Sequence, residues 1–323
     1  MRSIQTTNTF PLSSVKPLEE LVPYRESCLE ATVRACRGKT HRRERSPVTG
    51  AALESAGKVG PVEYSRCPQT GSLFLSVLPE PAAWSALLRE AAQFRRSPGA
   101  FHRGLVQSRL ENVYRPKLEW MQETFRLQGL MRPRALEVTT PPSEWTPFLR
   151  ESDAFSEVLT ADEVELAHAA EGTPTADPVQ AAILLESLDR VNDPEGLLQG
   201  VARRLSRGGL LFVTALAASG FDLAVLGLRN RYLYPPDRTN CFTLQGLKMI
   251  LERFGFALLE VSTPGVLDVQ IVEEHLRLDP GLELEAFERQ ILAAEPEARA
   301  AFQMFLQQWG LSSFTRIVAR KIE

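Results

Sequence analysis

Residues 177 to 215 carry the clearest hydrophobic pattern in the chain, and they predict a strand, a helix and a second strand. Ala181 to Leu185 is a short apolar run, as expected of a strand buried on both faces of a parallel sheet. A helix is predicted to begin at Asp193-Pro194, since aspartate caps helices and proline fits the first turn, and to stop at Gly208-Gly209. Its apolar positions recur at helical spacing: Leu197, Leu198, Val201 and Leu205. Leu210 to Thr214 then forms the second strand, which makes the unit a right-handed crossover between parallel strands.

The same patterns divide the rest of the chain into three predicted regions. Residues 1–82 form a lead with a helix over Leu18 to Cys36, residues 83–130 form a helical linker, and residues 131–323 form the sheet domain. The linker's second helix is predicted over Phe101 to Leu127. Further strands are predicted at Leu136 to Thr139, Glu157 to Thr160, Ala257 to Ser262 and Thr315 to Lys321. Residues 274–309 are predicted to be a helical insert, which either caps the substrate end of the sheet or only packs against it.

Composition and charge narrow the possible functions. The formal net charge of -3 gives no electrostatic reason to expect nucleic acid or an anionic membrane as partner. No apolar run reaches membrane-spanning length, and the first residues lack the apolar core of a secretion signal, so we expect a cytoplasmic protein. The 4 cysteines are scattered and form no CxxC pair, which argues against a disulfide framework.

A short sequence echo lies in the lead region. Ser46 to Gly50 and Cys67 to Gly71 both read x-P-x-x-G, the form of the paired knuckles of zinc ribbons. Ser46, Thr49 and Thr70 stand at three of the four ligand positions, and hydroxyls do not replace thiolates on zinc. We therefore expect a degenerate ribbon without zinc; the alternative is two unrelated turns that look alike.

Several segments then appear in an order that resembles the class I S-adenosylmethionine-dependent methyltransferases of the bacterial type with an N-terminal zinc ribbon. They are Leu188 to Val191 with Asp193-Pro194, Leu205 to Thr214, Ser219 to Asp222, Leu233 to Pro236, Phe254 to Phe256, Thr263 to Gly265, Leu267 to Val269, and Phe302 to Val318. The resemblance implies an α/β, Rossmann-like fold: a seven-stranded, mostly parallel sheet with helices on both faces and an antiparallel last strand.

The resemblance also implies where a cofactor would bind. The turn after the first strand, Glu137-Val138-Thr139-Thr140-Pro141-Pro142-Ser143, lacks every glycine that such a turn uses to bring backbone against its ligand. Threonines and prolines there add branched side chains and remove backbone donors. The acid for the ribose hydroxyls is expected at Asp162 or Glu163, although either can equally cap a helix. The remaining cofactor-site positions implied by the resemblance are Glu137, Thr139, Thr140, Glu186 and Leu188.

Two arginines and a phenylalanine, Arg190, Arg238 and Phe314, replace histidines of the resembled pattern. Arginine stays charged and cannot relay a proton, so no catalytic residue is assigned. Each arginine can bind a carboxylate or phosphate, or can pair structurally, Arg190 for example with Asp193. Tyr232 and Tyr234 are candidates for the substrate pocket together with Arg190 and Arg238, or else they pack a loop.

These departures leave two hypotheses. In the first, the chain is a methyltransferase-like pseudoenzyme with doubtful S-adenosylmethionine binding, which works with a paralogous methyltransferase or another assembly partner. In the second, it is a working class I methyltransferase that acts on a small molecule or saccharide through an atypical cofactor turn. Titration with the cofactor separates the two.

Overall fold

The computed structural model describes residues 10–96, 104–141, 143, 145–170 and 177–322. Twelve strands are numbered in chain order: β1 Thr40–Arg42, β2 Glu54–Val59, β3 Val62–Arg66, β4 Leu73–Leu75, β5 Val77–Pro79, β6 Arg134–Val138, β7 Glu157–Ala161, β8 Val179–Leu185, β9 Leu205–Leu216, β10 Asn240–Cys241, β11 Phe256–Ser262 and β12 Phe314–Lys321.

The helices are α1 Leu18–Ala35, α2 Pro81–Arg96, α3 Val106–Arg109, α4 Arg115–Gln128, α5 Trp145–Glu151, α6 Glu163–Ala167, α7 Ser187–Arg190, α8 Pro194–Arg204, α9 Phe221–Leu226, α10 Leu244–Arg253, α11 Asp268–Leu278, α12 Ala286–Leu292 and α13 Pro296–Gln308. Short 3-10 turns lie at Leu12–Ser14 and Gly227–Arg229. Over the residues that the structure describes, no helix combines the length and apolar character needed to cross a membrane.

The main sheet has the order β11-β12-β9-β8-β6-β7. Its β7, β6, β8 and β9 run parallel, and β12 is antiparallel to both β9 and β11, so the expected α/β fold and the antiparallel last strand are confirmed. The expectation of seven strands is wrong for the described residues, which contribute 6. The link from β7 to β8 spans only residues 162–178, and its described part forms the short helix α6 in place of an edge strand.

The predicted crossover is present at the centre of the sheet. Ala181, Ala182, Ile183 and Leu184 of β8 are fully buried, as a strand covered by helices on both faces requires. Asp193 caps α8, its carboxylate accepting the N–H of Gly196 at 3.0 Å. The helix ends at Arg204, earlier than the glycines predicted, because β9 already begins at Leu205.

The linker helix predicted over 101–127 is interrupted. Its first residues, 101–103, lie outside the described part of the chain, and after α3 the backbone widens into a π-helical segment, Leu110–Tyr114, before α4. Pro116 stands in the first turn of α4 and has no backbone N–H to donate to the preceding turn. The interruption places Arg109 and Lys117 on different elements.

The N-terminal region and the sheet domain are packed together. β2, β3 and β4 form a sheet whose other edge is completed by β10, from far later in the chain. One apolar core joins α1 residues such as Tyr24 and Leu29 to Leu216 and Leu233 of the sheet domain. The lead region therefore forms part of the wall around the carboxyl edge of the main sheet.

The two x-P-x-x-G segments adopt the same turn. Gly50 N–H donates to Ser46 O and Gly71 N–H donates to Cys67 O, both at 2.8 Å. Both glycines have positive φ, 73° and 74°, which glycine adopts without strain. The likeness seen in sequence is thus a likeness of backbone hydrogen bonding as well.

Candidate functional site

A cavity of about 670 Å³ lies at the carboxyl ends of β6, β8 and β9, where ligands of open α/β sheets bind. The turn after β6 and the start of α7 form one side. The other side consists of α3, α4, the start of α11 and the first residues of β12. The loop before α11 and its first turn, 264–268, also line it, so the segment entering the helical insert closes this end of the sheet.

The turn after β6 is held by the side chain of Glu137. Its carboxylate accepts the hydroxyls of Ser143 at 2.9 Å and Thr146 at 2.6 Å, and Ser143 in turn accepts the N–H of Trp145 at the start of α5. Burial raises the pKa of Glu137, an effect that the two hydroxyl donors oppose. Glu137, Thr139 and Thr140, three of the predicted cofactor-site residues, line the cavity.

Glu163 is the acid that faces the cavity after β7. It has no solvent exposure, and its Oε1 accepts the Thr140 hydroxyl at 2.7 Å. Arg190 donates to both carboxylate oxygens at 3.3 Å. The three side chains form a closed network, defined here as the Thr140–Glu163–Arg190 network.

Of the remaining predicted cofactor contacts, Glu186 lines the cavity, whereas Asp162 and Leu188 lie elsewhere. Asp162 caps α6 by accepting the N–H groups of Val164 and Glu165 and lies 3.7 Å from Arg89. Leu188 is fully buried in the core behind α7. Among the described residues, the cavity lining includes neither side chain. Arg190 pairs with Glu163 instead of Asp193, because the Asp193 carboxylate is used as the cap of α8.

Two carboxylates, those of Glu186 and Asp189, lie next to Arg238. Its guanidinium donates to Glu186 at 2.7 Å and lies 3.4 Å from Asp189, whose carboxylate also accepts the N–H of Leu216. Burial raises the pKa of Asp189 to about 7, against the attraction of Arg238. Burial would also raise the pKa of Glu186, but Arg238, Lys117 and Lys16 outweigh it and hold that pKa well below its ordinary value.

The two predicted tyrosines separate. Tyr232 lines the cavity and donates its hydroxyl to the Lys16 carbonyl at 2.7 Å. Tyr234 packs edge-on against Tyr24 and donates to Asp237 at 3.2 Å, behind the cavity wall. Tyr234 therefore packs a loop, the alternative that its paired prolines suggested.

Five cations that line the cavity were not predicted from the sequence: Lys16, Arg95, Arg109, Lys117 and Arg316. Arg95 pairs with Asp237 at 3.7 Å. For Lys117 a signal existed, since it lies four positions after Val113 and four before Met121, on the apolar stripe of the linker helix. Burial, with the neighbouring cations Arg316, Arg109 and Lys16, lowers the pKa of Lys117 to about 7 despite Glu186. Arg316 stands inside a strand between buried neighbours, where a charged residue is unusual.

Within the described ranges, no group of three or more His, Cys, Asp and Glu side chains is placed to hold an ion.

Solved structures share parts of this fold at low identity. An S-adenosylmethionine-dependent methyltransferase from Mesorhizobium loti is 18% identical, with 65% of this chain and 99% of that chain covered and a TM-score of 0.38. A methyltransferase from Thermotoga maritima is 17% identical over 67% of this chain and 94% of that chain, with a TM-score of 0.36. A chain from a complex between the Trm112 methyltransferase activator of Haloferax volcanii and a methyltransferase is 12% identical over 76% of this chain and 98% of that chain, with a TM-score of 0.40. Likenesses this remote say nothing about substrate or partner.

The sequence was also compared with curated proteins and with protein-family models. No curated protein matches the chain. A family model described as a methyltransferase domain matches residues 82–261, more than half of the chain. This range contains the crossover, the turn after β6, and both Arg190 and Arg238 with the carboxylates that they contact. The chain therefore belongs to the methyltransferase-domain family.

Proposed function

We propose that this chain is a methyltransferase-family protein in which S-adenosylmethionine binding is lost or strongly weakened, and which works by binding a small molecule and a partner protein. The observation that carries the proposal is the Thr140–Glu163–Arg190 network. Both oxygens of the only cavity-facing acid described after β7 are already engaged inside the protein. A ribose would have to displace a buried ion pair to reach it, and breaking such a pair costs about 3–5 kcal/mol.

The turn after β6 supports the same conclusion. Thr139 and Thr140 bring Cβ atoms and branched side chains to the place where a nucleoside-type ligand needs close approach to backbone. Pro141 has no backbone N–H to donate. The residues present do not fit the cofactor that the family uses, so no chemical step through it is proposed for this chain.

The lead region supports a structural role for the ribbon without zinc. Thr49 Oγ1 lies 3.5 Å from Cys67 Sγ, so a hydroxyl contacts the single thiol across the two turns. Burial would raise the pKa of Cys67, but hydrogen bonds from Ser46, Thr70 and Thr49 prevail and lower it to about 7. We expect incubation with a chelator to leave the melting temperature unchanged; a drop of several degrees would contradict this part of the proposal.

The surface of the helical insert supports the partner part. Phe302, Phe305 and Trp309 follow one another at centroid distances of 6.2 and 6.3 Å, and Phe287 lies 6.0 Å from Phe302. Trp309 is 64% exposed and Phe287 is 59% exposed. Contiguous exposed aromatic surface is typical of protein interaction sites. A paralogous methyltransferase is the partner that the family relationship suggests first.

The second candidate function is an active methyltransferase, and one observation favours it. The cavity is large enough for small molecules, and Lys117, with a pKa lowered to about 7, is partly neutral near pH 7. A neutral amine in a cavity is the state that a general base needs. This candidate requires the Thr140–Glu163–Arg190 network to open when cofactor binds.

Calorimetric titration of the purified chain with S-adenosylmethionine and S-adenosylhomocysteine tests the proposal. We expect no saturable heat with either compound, and no copurifying cofactor by mass spectrometry of the denatured protein. Micromolar binding that weakens at least about tenfold in Glu163→Gln would establish the second candidate instead. Glu165→Gln is the matched control, because Glu165 is an exposed neighbour outside the cavity.

A further inference from the structure

Four cations converge on the α4 side of the cavity, and each comes from a different element. Lys16 precedes α1, Arg109 ends α3, Lys117 lies in the first turn of α4 and Arg316 lies near the start of β12. Lys117 feels the charges of the other three, so they act on a shared volume. We call Lys16, Arg109, Lys117 and Arg316 the cation wall.

The carboxylates of the cavity do not neutralise this wall. Glu186 is the nearest described acid to Lys117, at 4.0 Å, but it is already bound by Arg238 at 2.7 Å. Asp268 accepts hydrogen bonds from Ser312 at 2.5 Å and from the N–H of Ser313 at 2.6 Å.

The other acids in the lining are engaged or exposed. Glu137 accepts the two hydroxyls described above, Asp222 accepts the amide of Asn230, and Glu123 pairs with Arg126. Glu119 is exposed at the rim. Glu260 is buried, attracts Arg316 and accepts the indole N–H of Trp120 at 2.9 Å. Because Glu186 is bound by Arg238, the four cations of the wall keep an excess of positive charge.

The cation wall also contains buried donors that have no partner within the described part of the chain. Arg316 is 8% exposed and Lys117 is 4% exposed. The Nε of Arg316 and the Nε of Arg109 are buried and lack a hydrogen-bond partner among the described residues. Arg316 contacts Trp120 and Phe314 through cation–π interactions at 5.4 and 5.7 Å, and no described ion pair includes it. A buried charged donor without an acceptor is costly, and a ligand oxygen in the cavity would relieve that cost.

Aromatic rings surround the same place. The Lys117 ammonium lies 5.5 Å from the ring centres of Trp145 and Phe314, and the Lys16 ammonium lies 5.5 Å from Tyr232. Ring faces beside cations suit an organic body that carries an anionic group.

We propose that the cavity binds a small organic oxyanion, a carboxylate or a phosphate, whose charged group lies between Lys117 and Arg316 with Lys16 and Arg109 beside it. The proposal rests on the proposed function in one respect: it names the class of small molecule that the cavity takes. Guanidinium groups bind both oxyanions through paired N–H donors, and an ammonium adds a point charge.

Tryptophan fluorescence is the suitable readout, because Trp120 and Trp145 both line the cavity. Wild-type protein is titrated with benzoate, with phenyl phosphate, and with benzamide as the neutral analogue of benzoate. We expect saturable binding of at least one anion and none of benzamide. Benzoate alone binding assigns a carboxylate, and phenyl phosphate alone assigns a phosphate.

Two variants locate the binding. Lys117→Gln and Arg316→Gln should each weaken the anion at least about tenfold, the loss expected for one charged hydrogen bond. Arg299→Gln, which removes a surface cation paired with Glu273 outside the cavity, should leave the affinity unchanged. Circular dichroism and the melting temperature show that each variant is folded. Because two independent cations are tested, a folding failure of one leaves the other to decide.

Three results would overturn the proposal. They are no binding of either anion, binding of benzamide as tight as that of the anions, and wild-type anion affinity in both Lys117→Gln and Arg316→Gln. A titration with S-adenosylmethionine separates failure of the anion-binding proposal from failure of the proposed function. Cofactor binding that is unaffected by Lys117→Gln would defeat the proposed function alone. Cofactor binding that Lys117→Gln abolishes would mean that the cation wall holds the cofactor's own carboxylate, which defeats both.

Discussion

The two sides of the cavity treat charge in opposite ways. On the β7 side, Glu163 and Arg190 neutralise each other, and Thr140 supplies a further hydrogen bond. On the α4 side, Lys117 and Arg316 lie against aromatic rings. The carboxylate next to Lys117, that of Glu186, is shared with Arg238, and Arg316 takes part in no ion pair among the described residues. The side expected to hold a nucleoside thus has its charges and hydrogen bonds satisfied within the protein. The opposite side has buried donors without an acceptor among the described residues, and a ligand would supply that acceptor.

The largest expected effect is on the closed side. Glu163→Gln leaves the guanidinium of Arg190, whose side chain is 13% exposed, without its counter-charge. We expect a loss of about 3–5 kcal/mol in the free energy of unfolding, measured by urea denaturation. Glu165→Gln, at a side chain that is 72% exposed, should cost less than about 1 kcal/mol. Equal costs for the two variants would show that the network is not the closed unit described here.

An intermediate effect is expected on the open side, and it depends on pH. Because burial lowers the pKa of Lys117 from 10.5 to about 7, the unfolded chain binds one more proton than the folded chain between those values. The contribution of Lys117 to the free energy of unfolding therefore rises as pH increases from about 7 to about 10.5. Below pH 7 the charged lysine opposes folding.

Lys117→Met removes the titrating group while keeping an unbranched side chain. We expect the variant to be more stable than wild type by about 1 kcal/mol or more at pH 6, with the difference shrinking as pH rises. Lys58→Met, at an exposed strand position, is the control and should follow the wild-type pH curve. Parallel curves for wild type and Lys117→Met would contradict the burial of an uncompensated ammonium.

The smallest expected effect distinguishes the two sides by ionic strength. Raising salt from about 0.1 M to about 1 M shortens the screening length from about 10 Å to about 3 Å. Anion binding at the cation wall, which is open to the cavity, should weaken several-fold in the fluorescence titration. The cost of Glu163→Gln should not change, because its ion pair is buried. Equal salt dependence on both sides would remove the distinction between them.

The central elements of the fold could be predicted from sequence because their patterns are local. The apolar run of β8, the cap of α8 and the start of β12 each depend on residues close together in the chain. The pairing of β10 with β4 could not be predicted in this way, because it joins Cys241 to Leu73 across 168 positions and only two residues of β10 take part. The break of the linker helix before Pro116 could have been predicted from the missing N–H.

The candidate site was predictable in part for the same reason. Glu137 lies near the end of β6, and Thr140, Glu186 and Arg190 follow strands. Because the carboxyl ends of these strands meet at one edge, order along the chain was enough to bring the four residues together. The choice between Asp162 and Glu163 could not be predicted from the sequence. A shift of one residue reverses which of the two side chains caps α6 and which faces the cavity. The cation wall needs the packing of four distant elements, which no local pattern specifies.

The most direct test of the central claim compares wild type with the double variant Thr140→Gly/Arg190→Gln by calorimetric titration with S-adenosylhomocysteine. The double variant removes the branched side chain from the turn and the hydrogen bonds that Thr140 and Arg190 donate to both Glu163 oxygens. The account predicts no saturable binding to wild type and measurable binding to the double variant. Tight binding to wild type that the two substitutions weaken would contradict it.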